Sequence, residues 1–184
     1  MDKQQLRKEI RAEKRAMPPA KKELQSQQVM ARVEQLPAFN SASVVLLYWS
    51  MDDEVATHSF VDRWYRSKTL LLPCVDGDLL RLRQYTGATC MQAGPQFGIG
   101  EPTGKEYTEL QRIDLIVVPG VAFDRECNRM GRGRGFYDRL LSTTERAIKI
   151  GVGFDFQLLD TIPTEAHDIR MNFVVTSREI ISRK

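Results

Sequence analysis

The run "IDLIVVPGVAF", residues 113–123, decides the fold. Nearly every position in it is apolar and several are β-branched, with no alternation of apolar and polar residues. A strand with that pattern is buried on both faces, as in a parallel sheet covered by helices. Four further runs read the same way: "SVVLLYW" at 43–49, "TLLLP" at 69–73, "AIKIGVGF" at 147–154 and "NFVVT" at 172–176.

Working outward, helical spacing fills the gaps between these runs. Leu6, Ile10 and Met17 recur on one face of residues 3–17, with Lys3, Arg7 and Lys14 along one flank of that stripe. Pro18 and Pro19 stop this helix, and a second is expected from Ala20 to about Leu36, before Pro37. Residues 52–67 space Val55, Phe60 or Val61, and Trp64 as a helix does, and "FYDRLLSTT" at 136–144 reads as a short one. "GDLLRLRQY" at 77–85 alternates and predicts an antiparallel edge or hairpin strand, whereas "CMQAGPQFGIGEPTG" at 90–104 reads as loop. Alternating strands and helices give an α/β chain with a mainly parallel sheet and helices on both faces, in a single domain over residues 1–184.

Composition agrees with an ordinary globular core, at 42% hydrophobic and 8% aromatic. The 27 basic and 24 acidic residues leave a net charge of +3, too balanced for a chain that wraps nucleic acid. The opening segment is basic but has no continuous apolar core, and no run is long enough to span a bilayer, so a soluble cytoplasmic protein with no membrane partner is expected. Cys74, Cys90 and Cys127 are widely spaced with no C-x-x-C pair, which argues against a disulfide framework or structural zinc.

In an open α/β sheet, ligands bind beyond the carboxyl ends of the strands. Two segments fall there: "YWSMDDE" at 48–54 and "PGVAFDRECNRMGRGRGFYD" at 119–138. Gly131, Gly133 and Gly135 match neither the dinucleotide fingerprint nor the P-loop. Their physical content is still that of an anion loop: glycines let backbone amides approach a phosphate, while Arg132 and Arg134 add charge and forked hydrogen bonds. The other readings are a tight loop with solvated arginines, or an RNA-binding segment of the arginine-glycine type. Asp138 is either a charge complementing the helix start or a ligand for Mg²⁺ beside phosphates. Glu54 is either a first-turn acid or the grip on a polar substrate edge, with Asp52 and Asp53 as caps and Trp49 offering a flat apolar surface. His167 and Asp168 precede the last run and are either a structural pair or, where the last strand lies near the glycine loop, a place from which Asp168 reaches the same cation.

Taken in order, "KQQLR" at 3–7, "MDDE" ending at Glu54, "FGIGEP" at 97–102, "VVPGVAFD" at 117–124, "RMGRGRGFYDRLL" from Arg129, and "EAHD" with "VVT" near the end resemble the 5-formyltetrahydrofolate cyclo-ligase family. The resemblance implies a Rossmann-like α/β fold and the ATP- and Mg²⁺-dependent conversion of 5-formyltetrahydrofolate to 5,10-methenyltetrahydrofolate, with ADP and phosphate released. It implies ATP contacts from Lys3, Gln4, Gln5, Leu6 and Arg7 and from Arg129, Met130, Gly131, Arg132, Gly133, Arg134, Gly135, Phe136 and Tyr137. Trp49, Glu54 and the loop of Arg132, Gly133, Arg134, Gly135 and Phe136 fall on the folate side; Arg134, a long cationic side chain between two glycines, is expected to be catalytic. Asp138 and Asp168 are the implied magnesium ligands, and the implied partners are folate and ATP alone, met by a monomer. Cys127 stands where the family usually has glycine, Phe136 where it has tyrosine, and Asn172 where it has aspartate. The competing readings are a phosphosugar or CoA-ester enzyme and an RNA-binding module.

Overall fold

A computed structural model describes residues 2–95 and 98–184. Helix α1 (Lys3–Ala16) is capped by the Asp2 carboxylate, which accepts from the Gln5 amide at 2.7 Å. Helices α2 (Pro19–Gln35) and α3 (Pro37–Ser41) each begin on a proline, which lacks the amide hydrogen a helix start leaves unpaired. After β1 (Val44–Leu46) come α4 (His58–Trp64), β2 (Thr69–Asp76), β3 (Leu79–Gln84), β4 (Met91–Ala93) and β5 (Gly100–Pro102). The chain continues through β6 (Leu115–Pro119), β7 (Ala122–Asp124), β8 (Arg129–Met130), α5 (Phe136–Ser142), β9 (Ile148–Val152), β10 (Leu158–Leu159), β11 (Phe173–Val175) and β12 (Ile180–Ser182).

The main sheet has seven strands in the order β12-β11-β9-β6-β1-β2-β3. Its five inner strands are parallel, and the edges β3 and β12 are antiparallel. All five apolar runs contribute an inner strand, and "GDLLRLRQY" is the antiparallel edge. Successive residues of β6 point to opposite faces. Leu115 and Val117 meet Val29, Val33, Phe39 and Phe60 of α2 to α4, whereas Ile116 and Val118 meet Leu140 and Leu141 of α5. Helix α1 lies elsewhere, with Leu6 and Ile10 buried against Val121, Ala122 and Met130. None of the helices among the described residues is long and apolar enough to cross a membrane.

Three local expectations are corrected. The run at 113–123 is not one strand. Backbone pairing in the main sheet ends at Pro119, and Ala122 then pairs with Met130 in the small sheet β10-β7-β8. The helix expected within 52–67 begins only at His58, because Ser50 and Thr57 exchange side-chain to backbone bonds that fold the intervening residues into a loop. Glu54 is therefore not a first-turn helix acid. Residues 90–104 contain the antiparallel pair β4 and β5 rather than loop alone; Gln96 and Phe97 of that stretch lie outside the described residues.

The β7–β8 hairpin explains the departure at Cys127. The Cys127 amide donates to the Asp124 carbonyl at 3.0 Å and the Asp124 amide to the Asn128 carbonyl at 3.2 Å, closing a three-residue loop. The last residue of such a loop is left-handed, and Cys127 has φ +61°. A glycine would adopt that angle without strain.

Candidate active site

A cavity of about 550 Å³ lies at the carboxyl ends of β1 and β6, in the size range of small-molecule sites. Its position follows from topology. From β1 the chain steps outward to β2, and from β6 it steps the other way to β9 and β11, so the two loops part and leave a crevice between them. The loop after β1 supplies Trp49, Met51, Asp53 and Glu54 to its wall. The segment after β6 supplies Arg129, Gly131, Arg132, Arg134, Gly135, Phe136, Tyr137 and Asp138, and α1 adds Arg7, Arg11 and Lys14.

The arginines of this wall differ in how far they are already committed. Arg7 Nε donates to the Gly131 carbonyl at 3.0 Å and so ties α1 to the glycine loop. Arg129 is buried, with Nε donating to the Pro119 carbonyl at 2.8 Å, Nη1 3.4 Å from Asp138 Oδ1, and the guanidinium over the Tyr137 ring. Burial pulls its pKa down, the mark of a desolvated cation short of negative charge. Arg132 Nη2 donates to Asp53 at 2.8 Å and Glu54 at 3.2 Å. Arg134 lies over the Phe136 ring at 5.2 Å and has no ion pair among the described residues. The backbone beneath them needs glycine twice, since Gly133 has φ +104° and Gly135 φ +68°. Helix α5 is only seven residues long, so the positive charge that this wall offers an anion comes from guanidinium groups more than from a helix dipole.

Opposite the arginines stands a carboxylate wall. Glu54 is buried, and its Oε2 accepts from the Met51 amide at 2.9 Å. The Lys14 side chain is 6% exposed and lies 3.6 Å from Asp53. Burial lowers the Lys14 pKa. Burial alone would raise Asp53, but its bond to Arg132 and the charge of Lys14 prevail and hold the carboxyl below its ordinary value. Tyr48 and Tyr137 are pushed up by burial and keep their phenolic protons at neutral pH. Cys127 is buried with its thiol likewise pushed up, which makes it a poor nucleophile.

Trp49 does not present a free flat surface on both sides, because the His58 ring stacks on it at 3.7 Å and 12°. Of the expected nucleotide contacts at Lys3 to Arg7, Arg7 alone lines the cavity. Gln4 and Gln5 are exposed, Leu6 is buried in the core, and Lys3 Nζ bonds Asp168 at 2.7 Å and Glu165 at 2.9 Å. Met130 is also buried, and Gly133 packs against the Arg7 guanidinium. Sequence reading gave no site role to Arg11, Ile99, Glu101 or Lys14, although Lys14 was legible on the same flank as Arg7.

The two implied metal ligands stand in different settings. Asp138 lines the cavity, and only one of its oxygens has a hydrogen-bond partner among the described residues, which leaves a hard donor beside the anion loop and suits Mg²⁺. Asp168 clusters with Glu165 and His167, where the Lys3 ammonium already sits against it. The Asp168 carboxyl is raised by burial but lowered more by Lys3, for a net downward shift.

A crevice at the switch point of a Rossmann-like sheet, walled by a glycine-arginine loop and facing carboxylates, defines the class as an α/β protein with a ligand-sized cleft between its central strands. The sequence model of the 5-formyltetrahydrofolate cyclo-ligase family matches residues 1–177, and the chain belongs to that family. The 5-formyltetrahydrofolate cyclo-ligase of Escherichia coli K12 is 30% identical over 180 residues, covering 93% of this chain and 98% of the relative. The Haemophilus influenzae protein of the same name is 31% identical over 174 residues, covering 90% and 92%. The solved structure of Aquifex aeolicus 5,10-methenyltetrahydrofolate synthetase superposes with a TM-score of 0.89 at 33% identity, over 99% of this chain and 93% of that one.

Proposed function

We propose that this chain closes the ring of 5-formyltetrahydrofolate to give 5,10-methenyltetrahydrofolate, consuming ATP and releasing ADP and phosphate. The observation that carries this reading is the division of one cavity between an anion loop, with Arg129 and Arg134, and a carboxylate wall at Asp53 and Glu54. A formamide carbon is a poor electrophile and its oxygen a poor leaving group. In the first step that oxygen attacks the γ-phosphorus and the bond to ADP breaks. N10 of the folate then attacks the formyl carbon, loses its proton, and the carbon–oxygen bond breaks with phosphate as the leaving group.

The protein's part is positioning and charge stabilisation, the dominant contributions in phosphoryl transfer. Arg129 and the loop amides hold the phosphates, Arg134 follows the charge that develops during transfer, and Glu54 accepts from the donor edge of the pterin. Mg²⁺ held by Asp138 would offset the charge of the nucleotide phosphates. Asp138→Asn is expected to preserve the thermal midpoint within about 3 °C and to raise the Mg²⁺ concentration for half-maximal rate by about tenfold. An unchanged Mg²⁺ dependence removes Asp138 from that role.

The reaction itself is tested with substrate carrying a heavy isotope in the formyl oxygen. The label is expected in inorganic phosphate after turnover, alongside methenyl absorbance. Unlabelled phosphate overturns the phosphorylated intermediate.

A further inference from the structure

We infer that His58 is a positioning residue that clamps the substrate-side wall from outside the cavity. This rests on the proposal that Trp49 and Glu54 face the folate.

The wall segment, Trp49 to His58, lies beyond Leu46, the last residue of β1, and ends on the first residue of α4. A loop whose two ends meet is a compact Ω-type unit, rigid only if its neck is closed. Here the neck is closed by the two terminal rings, stacked at 3.7 Å and 12°. His58 Nε2 lies 3.0 Å from the Ser50 carbonyl, which can only accept, so this nitrogen carries the proton. One step inward, the Ser50 amide donates to Thr57 Oγ1 at 3.2 Å and the Thr57 amide to Ser50 Oγ at 3.0 Å.

The residues held inside this neck, Met51, Asp53 and Glu54, line the cavity, whereas His58 is exposed and does not. Trp49 is confined from another direction as well: a Cβ on Gly100 would stand 2.9 Å from its Nε1 and 3.0 Å from its Cδ1. Removing the His58 ring frees one face of Trp49 and one anchor of the loop, so the wall that carries Glu54 loses its fixed place. A group acting this way alters the binding of the ligand facing the wall. It leaves the phosphoryl-transfer end, built on a different segment, in place.

The test compares steady-state constants for three variants of the intact enzyme. His58→Ala is expected to raise KM for 5-formyltetrahydrofolate about fivefold, the worth of one lost aromatic stack, with kcat and the KM for ATP within about twofold of the parent. His58→Phe, which keeps a ring but no donor, should recover most of the loss. His58→Gln, which keeps a donor but no ring, should recover little. A folate KM unchanged in His58→Ala, an equal rise in both KM values, or failure of phenylalanine to rescue overturns the clamp. Glu54→Gln serves as the control. If it raises the folate KM while His58→Ala is silent, the clamp alone fails. If Glu54→Gln leaves the folate KM untouched, the assignment of this wall to the folate fails with it.

Discussion

Arg134→Ala is expected to lower kcat by about 10²–10³-fold, with either KM changed by less than about threefold, the pattern of an interaction made mainly in the transition state. The structure distinguishes Arg134 from Arg7, Arg129, Arg132 and Arg139 by what it lacks among the described residues. Arg7 is bonded to Gly131, Arg129 to Pro119 and Asp138, Arg132 to Asp53 and Glu54, and Arg139 to the Asp78 and Arg134 carbonyls. Each of those guanidinium groups has ground-state partners to keep. Among the described residues Arg134 has the Phe136 ring under it and no ion pair, and flanking glycines free its backbone. It can therefore move with charge passing from the γ-phosphate to the leaving ADP oxygen. Arg134→Lys should recover part of the rate, because a point charge replaces the planar fork imperfectly. A rise in the KM for ATP with kcat unchanged would show instead that Arg134 only holds the nucleotide.

Asp124→Ala is expected to lower the thermal midpoint by about 10 °C, from a loss of at least about 3 kcal/mol. Asp124 is 2% exposed, and its two oxygens accept from four donors. These are the Glu126 and Asn128 amides at 3.0 and 2.9 Å, Asn128 Nδ2 at 2.9 Å and the Ile162 amide at 3.2 Å. Alanine leaves all four without that acceptor, most of them around the hairpin in which Cys127 already sits at positive φ. Arg129 begins the second strand of this hairpin, so the folded fraction should also lose nucleotide affinity. Asp124→Asn keeps one acceptor oxygen but points an amide donor at the donors on the other side, and should fall between Asp124→Ala and the parent. A thermal scan in which Asp124→Ala matches the parent would show that water satisfies the four donors equally well.

Much of the architecture was legible from the chain alone, because burial on both faces writes itself into composition. Residues 115–118 are apolar at every position since both sides of β6 meet helices, and residues 79–84 alternate since β3 is an edge. The glycine loop was legible for a similar reason: positive φ at 133 and 135 restricts which residues can stand there. Such signals are local, and so they survive without knowledge of the fold.

What the tertiary structure alone decided is which groups meet. Nothing in the spacing of "MDDE" told whether Glu54 began a helix; the bonds between Ser50 and Thr57 took it out of one. Nothing in "KQQLR" told that Arg7 would face the cavity while Lys3 turned to Asp168, 165 residues away. Lys14 could be placed on a basic flank, but its burial against Asp53 depends on how α1 crosses the crevice. Arg132 and Asp53 are 79 residues apart and bonded at 2.8 Å. Helical and strand periods relate residues a few positions apart. Charges brought together over such separations are paired by the order in which the strands assemble, and that order is a property of the folded chain.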